Sequence, residues 1–442
     1  MSETYDICVI GAGFGGLMVV ANLVRGNKGL NIFWTGAPHD PGRGTAYSTR
    51  ESAHVLNVRA DRMGAFADDH LHFFKWLETH SAGQYQSGDY VPRMTFGAYL
   101  DTIRMQAETH GKITAVGLTA VNARHAGQWN ISLDDGREIA AKHLVIATGN
   151  PAITDRGWPK NDIYVSDFWR WRFADNRLPV LDSDDTVLIV GTGLTAIDAA
   201  ASCRADGFEG QIFAVSPHGR WPATHADPVA PYKDAQNLYE ALKQKPTALH
   251  YLQTVRTHTE KNEWRMQSNA KGVVCDHVYS VIDSLRPNVV ELWQLLPERE
   301  KSRFMRHLWS LWNIHRHRIA PEVAETLKNI TVIPGRLTET QDDGTVQIRH
   351  RGGRGNTPIK ADRVINCTGP SYATLTKSNS LLGGLIEQQF VKSGPLGLGV
   401  TSSDTPHLHI IGTPLLGERL ETTAVPELRE QAAAVAAKIL AG

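Results

Sequence analysis

Tyr5-Asp6-Ile7-Cys8-Val9-Ile10-Gly11-Ala12-Gly13-Phe14-Gly15-Gly16-Leu17 joins an apolar run to a glycine-rich turn and the start of a second apolar run. Tyr5 to Ile10 reads as a buried strand and Leu17 to Val24 as a helix. Glycines spaced as at Gly11, Gly13 and Gly16 let backbone N–H groups approach a pyrophosphate, and the following helix dipole favours its charge. The pattern returns in Thr186-Val187-Leu188-Ile189-Val190, then Gly191-Thr192-Gly193-Leu194-Thr195-Ala196, with an apolar run to Cys203. Ala196 in the last place is an allowed variant. One dinucleotide needs one such turn, so two turns imply two dinucleotides. The simplest pairing is FAD on the first and a nicotinamide dinucleotide on the second, in an α/β chain with two Rossmann-like dinucleotide-binding domains.

The second strand of each unit bears on the cofactor. An acid about twenty residues beyond the turn ordinarily receives the ribose hydroxyls. The first unit has Leu30-Asn31-Ile32-Phe33-Trp34 followed by Thr35 and Gly36, with Asp40 farther along. Thr35 is then the candidate ribose partner, weaker than a carboxylate. The second unit ends Gln211-Ile212-Phe213-Ala214-Val215 in Ser216-Pro217-His218-Gly219-Arg220. Ser216 and Arg220 suit a 2′-phosphate that an acid would repel, which favours NADPH over NADH.

The 442 residues predict two or three domains, and 41% hydrophobic with 21% charged residues is an ordinary globular composition. Lys plus Arg equals Asp plus Glu at 46 each, so the overall field draws in neither nucleic acid nor an anionic membrane. The acidic start, Met1 to Asp6, does not resemble a signal peptide, and the apolar stretch Ile7 to Val24 is interrupted by glycines and Asn22. A cytoplasmic protein is expected. Cys8, Cys203, Cys275 and Cys367 form no C-x-x-C pair, which argues against disulfide reduction at a flavin. Metal-ligand spacings are missing too.

Residues 112 to 148 read as strands separated by turns such as Asp134-Asp135-Gly136 and end in Ala147-Thr148-Gly149-Asn150. Asn366-Cys367-Thr368-Gly369-Pro370 is a second such ending. Strands ending in Ala-Thr-Gly are typical of the crossing back to the dinucleotide in two-dinucleotide flavoproteins. The expected order is an FAD domain, first part, over 1–175, an NAD(P)H domain over 176–320, and the second part of the FAD domain over 321–442. Within the middle part, 232–320 reads as a helical insertion through Asn237 to Gln244, Ala248 to Trp264, Val278 to Leu296 and Glu298 to His315. It suits either a cover over the active site or a face for homo-oligomer formation.

Taken together, Val9 to Gly16, Gly42-Arg43-Gly44-Thr45-Ala46-Tyr47, His54-Val55-Leu56-Asn57-Val58, Pro92-Arg93 with Phe96-Gly97, Gly191 to Thr195, His315 to Arg318 and Thr422-Thr423-Ala424-Val425-Pro426-Glu427 resemble a family of bacterial FAD/NAD(P)-binding proteins. That family includes a flavin-dependent urate hydroxylase and the aspartate N-monooxygenases. The resemblance implies FAD held by the Gly11 turn with Phe14, by the loop containing Gly44 and Thr45, and by Asn57 and Val58. It places Gly412 and Thr422 to Ala424 near the isoalloxazine, where a helix N-terminus would stabilise the anionic reduced ring.

Where the family commonly has a proline, this chain has Arg59. A guanidinium there suits a planar anion, and it equally suits an ion pair with Asp61 or a neighbour. His307, Leu311, His315 and Arg318 share one face at helical spacing, which suits an anionic substrate or the NADPH phosphates and makes His315 and Arg318 candidate substrate residues. A solvated face with tryptophans turned inward is the other reading. The expected function is an NADPH-dependent FAD monooxygenase that hydroxylates nitrogen or carbon of a small polar or anionic substrate. It would work with molecular oxygen through a flavin C4a-(hydro)peroxide, with Asn57 and Arg59 facing the flavin as candidate catalytic residues. A flavin reductase or dehydrogenase without oxygenation and a non-enzymatic dinucleotide-binding redox sensor are the alternatives.

Overall fold

The computed structural model describes residues 4–36, 41–153, 156–174, 181–226, 231–259, 276–353, 355–377, 380–402 and 404–442. Strands β1 (Thr4–Ile10), β2 (Asn31–Thr35), β3 (Lys112–Val116), β4 (Ala120–His125), β5 (Trp129–Leu133) and β6 (Glu138–Ile146) come first. Then follow β7 (Tyr164–Val165), β8 (Thr186–Val190), β9 (Gln211–Ser216), β10 (Ile330–Thr340), β11 (Thr345–His350), β12 (Asn356–Lys360), β13 (Arg363–Asn366) and β14 (Leu408–Ile410). They form two seven-stranded sheets, and both are Rossmann-like as expected.

The first sheet runs β3-β2-β1-β6-β5-β4, with β14 also on β6. Its parallel part is β3-β2-β1-β6-β14, and β4 and β5 form an antiparallel hairpin on the first half of β6. The second runs β12-β11-β10-β9-β8-β13-β7, with a parallel part β10-β9-β8-β13-β7 and a hairpin β11-β12. The parallel parts of the two sheets therefore repeat one plan, while the hairpin sits on β6 in the first and on β10 in the second, and the first sheet takes β14 from beyond the second unit. β7 precedes the second unit in the chain, and β14 follows it. Parallel strands are buried on both faces, which is why β1 from Ile7, β6 from Leu144 and β8 from Val187 read as continuous apolar runs.

These pairings correct the expected boundaries. Residues 330–366 were assigned to the returning first domain, but β10 to β13 complete the second sheet, and β7 joins it before residue 176. The return comes after Asn366, because β10 must pair with β9 to finish the parallel order before the chain can leave.

The helix Phe14–Gly26 lies between the first sheet and the helices Arg93–His110 and Val425–Ala441, sharing a core with Phe96, Leu100, Ala432, Ala436 and Ile439. Expected helices between 232 and 320 are observed at Ala235–Gln244, Ala248–His258, Asp276–Ser284, Val289–Leu295, Glu298–His307 and Trp309–Arg316. Pro287 breaks the third expected segment and Leu308 the fourth. Trp264 and Cys275 lie outside the described residues. The helices share an apolar core that receives Leu420 from the C-terminal part, and Trp293 Nε1 donates to the Gly417 carbonyl at 2.7 Å. The helical body thus docks within its own chain on Gly417 to Glu427. None of the described helices is long and apolar enough to cross a membrane.

Candidate functional site

At the first turn Gly11 has φ +122°, its N–H donates to the Thr35 carbonyl at 2.7 Å, and a Cβ there would stand 2.1 Å from the Ala147 oxygen. A Cβ on Gly16 would fall 1.9 Å from the Gly11 oxygen. Trp34 Nε1 also donates to that oxygen, at 3.0 Å, a lock the sequence reading missed. The helix Phe14–Gly26 starts after extended Gly13 with no side-chain cap, so its leading N–H groups remain open to an anion. The Phe14 ring is buried among Phe96 and its neighbours, leaving only the Phe14 backbone to face a ligand.

The Gly42 to Tyr47 loop is fastened to this turn by Gly42 N–H donating to the Ala12 carbonyl at 2.8 Å, and Gly44 (φ +62°) passes against Gly13. Arg43 pairs with Asp101, and Gly97 leaves room for the Tyr47 carbonyl. Thr45 is left exposed beside the turn.

Thr35 is not available to a ribose. It is fully buried, and its hydroxyl donates to the Leu118 carbonyl at 2.6 Å, because the loop from β3 to β4 passes over the end of β2. A Cβ on Gly36, the next residue, would sit 2.4 Å from the Ala12 nitrogen, so no acid fits at that position either. Asp40 is outside the described residues.

Thr148 and Gly149 emerge exposed from β6, with Gly149 at φ +69°. Gly412 (φ +77°) leaves β14, and its N–H donates to Gln431 Oε1 at 3.1 Å. Thr422 is fully buried, with its hydroxyl donating to the Gly412 carbonyl at 3.1 Å; it braces the loop rather than facing a ligand. Exposed Thr423 and extended Ala424 lead into the helix Val425–Ala441, which again has no side-chain cap.

The second turn repeats the first. Gly191 has φ +124°, a Cβ there would lie 2.3 Å from the Cys367 oxygen, and its N–H donates to the Val215 carbonyl at 2.8 Å. Gly193 is exposed with open space about it, and the helix Leu194–Ala205 also lacks a side-chain cap. Leu194 and Thr195 are half-buried in its first turn, and Gly369 (φ +83°) faces open space after β13.

Ser216 is tied up, accepting from Thr192 Oγ1 at 2.9 Å and from Gly219 N–H at 3.1 Å, so it shapes the turn. Arg220 is exposed. Burial and then Arg351, Arg220 and Arg336 hold His218 below the ordinary imidazole range, which gathers three guanidiniums around one side chain. Arg336 and Arg351 escaped the sequence reading because they arrive from β10 and from the end of β11.

Between the units lies a cleft of about 650 Å³ lined by Arg59, Tyr90, His225 and Glu322, among others. Arg59 makes no ion pair with Asp61; its guanidinium stands 6.0 Å over the Tyr90 ring and donates to the Ala226 carbonyl at 3.3 Å. His225 Nε2 is 2.9 Å from the Asn57 carbonyl, to which it donates, and burial with Arg318 and Arg59 nearby lowers its pKa to about 4. Asn57 and Val58 are half-buried here.

The expected common face of His307, Leu311, His315 and Arg318 is interrupted. The helix ends at His307 and restarts at Trp309, leaving His307 exposed while His315 and Arg318 are buried. A solvated face is therefore excluded for those two.

A polar seam fixes the two units to one another. Arg93 Nη1 meets Asp198 at 2.8 Å with both side chains nearly buried. His54, fully buried, lies 3.0 Å from Ser202 Oγ and 3.1 Å from the Asp198 carbonyl. Ser202 donates to Glu51 at 2.7 Å, and Arg172 bridges Glu51 and Asp206. This seam gives His54 and Pro92-Arg93 their place in the fold.

Cys8, Cys203 and Cys367 are buried free thiols, and burial pushes all three up, Cys203 to about 12. They are neither paired nor nucleophilic. Among the described residues no group of three His, Cys, Asp or Glu is placed to hold a metal ion.

Residues 8–151 match the family model for FAD-NAD(P)-binding proteins. Among solved structures, the ornithine N-hydroxylase of Kutzneria sp. 744 with reduced FAD, NADP+ and L-ornithine is similar at 13% identity and TM-score 0.64, covering 99% of both chains. Cyclohexanone monooxygenase is similar at 16% identity and TM-score 0.58, covering all of this chain and 88% of the other. Bacillithiol disulfide reductase of Bacillus cereus is similar at 13% identity and TM-score 0.52 over 99% of both chains. At such identities the likeness is one of fold, and the chain has the α/β architecture of two Rossmann-like units with a helical body that these proteins share.

Proposed function

We propose that this chain is a flavin-dependent monooxygenase of the cytoplasm, holding FAD at the Gly11 turn and NADPH at the Gly191 turn. The observation that carries the reading is the repeated cradle. At each turn two glycine positions are demanded by backbone contact or left open, and each leads into a helix whose N–H groups no side chain caps. That is what a pyrophosphate requires. When bound, reduced flavin supplies the activation of dioxygen and NADPH supplies the hydride.

The residues around it do the rest. Gly44 and Thr45, Asn57 and Val58, Thr148 and Gly149, and Gly412 with Thr423 and Ala424 line the flavin. Gly193, Leu194, Thr195 and Gly369 line the nicotinamide dinucleotide, and Arg220, Arg336 and Arg351 receive its 2′-phosphate. Arg59, Asp89 and Glu322 give the cleft a polar wall of both signs, with His225 neutral beside Arg59, which favours a polar substrate. The uncapped N-terminus at Ala424 sits where anionic flavin would gain from a dipole.

Disulfide reductases share the fold, but the three described thiols are buried and separate, which favours oxygen over disulfides as the electron acceptor. The finer reading, a place beside urate hydroxylase and the aspartate N-monooxygenases, rests on the loop and C-terminal motifs. The test is NADPH consumption under air across amines, amino acids and purines, with peroxide measured alongside. A substrate should raise consumption and lower the share lost as peroxide. Consumption with an artificial acceptor that is unchanged without oxygen, and no compound that alters peroxide release, would identify a reductase instead.

A further inference from the structure

The helix Val425–Ala441 begins beside the first cradle. Leu428 in its first turns packs on both Gly15 and Gly412, where added Cβ atoms would lie 3.6 and 3.1 Å from Leu428 Cδ2. Glu427 is the third residue of this helix, the position from which a glutamate ordinarily reaches back to the N–H that opens the helix. Here it does not, and no side chain caps the helix.

The helical body holds this carboxylate elsewhere. Arg286 meets Glu427 Oε1 through Nε at 3.0 Å and Nη2 at 2.9 Å, and Arg316 Nη2 donates to the same oxygen at 3.2 Å. Arg316 is steadied by Glu421 at 3.6 Å, and Glu421 also accepts from Trp312 Nε1 at 2.7 Å. Glu427 Oε2, by contrast, is buried with no partner among the described residues. Such an oxygen would gain by turning to the N–H groups of the helix, and the charge-assisted bonds on Oε1 oppose that turn. Burial works to raise the Glu427 pKa, but Arg286 and Arg316 outweigh it and hold the carboxyl below its ordinary range.

We infer that Arg286 and Arg316 are positioning residues for the flavin, which hold Glu427 off the N-terminus of the helix Val425–Ala441 and so leave its N–H groups to the negative charge of the reduced ring. This rests on the reading of FAD at the Gly11 turn, not on oxygenation. A hydride from NADPH carries two electrons and one proton, so the ring gains one negative charge. An open helix N-terminus stabilises that charge, whereas a glutamate turned onto it would occupy the donors and repel the anion. The helical body thereby sets how readily the flavin is reduced.

The test is the two-electron midpoint potential of FAD bound to the full chain, with flavin content and melting temperature measured for each variant. Arg286→Gln with Arg316→Gln should weaken the hold on reduced relative to oxidised flavin about tenfold, a fall of about 30 mV. In a Glu427→Ala background the same two changes should leave the potential where Glu427→Ala alone sets it, because no carboxylate remains to turn. Equal falls in both backgrounds would mean that the guanidiniums act on the flavin directly by their charge, and no fall in either would mean a purely structural ion pair; each result overturns the inference. If the paired variant does not fold, Arg286→Gln alone decides, since its side chain is 29% exposed: part of the fall is expected beside Glu427 and none beside Glu427→Ala. A wild-type protein that takes up no FAD refutes the flavin reading itself, whereas normal uptake with unmoved potentials refutes this inference alone.

Discussion

Replacing Arg336 by alanine should lower the preference for NADPH over NADH without touching the use of NADH. Arg220, Arg336 and Arg351 all lie near enough to His218 to hold its basicity down, the first in the loop after β9, the second on β10 just past its pairing with β9 and the third just after β11. Arg336 is exposed, so the high-dielectric end of Coulomb's law applies, about 1 kcal/mol per pair of unit charges at roughly 4 Å. A 2′-phosphate brings nearly two charges by analogy with other phosphate monoesters, giving about 2 kcal/mol, or roughly thirtyfold in kcat/KM. Steady-state kcat/KM for each cofactor reads the ratio directly, and raised salt should shrink the wild-type preference. His218 adds a sign. Its pKa is depressed from the ordinary 6.5 in the free protein, and a bound phosphate favours the protonated ring. The preference should therefore grow as the pH falls from neutrality into the acid range, and His218→Ala should remove that growth. If Arg336→Ala weakens both cofactors equally, or leaves the ratio unchanged, the placement of the 2′-phosphate is wrong.

Gly191→Ala puts a Cβ 2.3 Å from the Cys367 oxygen and should abolish flavin reduction by NADPH while the protein keeps its flavin; Gly11→Ala, at 2.1 Å from the Ala147 oxygen, should instead lose the flavin, as absorbance and flavin content will show. Asp198→Ala strands the nearly buried Arg93 and should cost about 3–5 kcal/mol in urea unfolding, whereas less than about 1 kcal/mol would mean the seam is solvated. His143 and His409 lie 3.3 Å apart and are each held at about 4 by burial with neighbouring positive groups. Their folded values lie below the unfolded 6.5, so the stability they contribute is full above about pH 6.5 and is lost as the pH falls through about 4. Melting temperature against pH should show this decline, and His143→Gln with His409→Gln should flatten it.

Local chemistry decided a good deal before any tertiary contact was considered. Gly11 and Gly191 require positive φ, and their spacing between an apolar strand and an apolar helix can be read along the chain because every part of the turn lies within a few residues. The absence of a cysteine pair with C-x-x-C spacing is likewise a property of the sequence. Other decisions belonged to the fold. Thr35 looked available at a strand end, and only the approach of Leu118 shows that its hydroxyl is spent. Arg336 and Arg351 join Arg220 because β10 lies beside β9 and β11 returns against β10, pairings between residues more than a hundred positions apart for β9 and β10. The pairing of β7 and of β10 to β13 with the second sheet moved the domain boundary for the same reason, since a strand's own residues fix its apolar pattern but not which sheet it completes. The sequence by itself determined two cradles for two dinucleotides. Tertiary structure alone decided which side chains face them, because burial and hydrogen-bond competition are settled by neighbours that are remote in the chain.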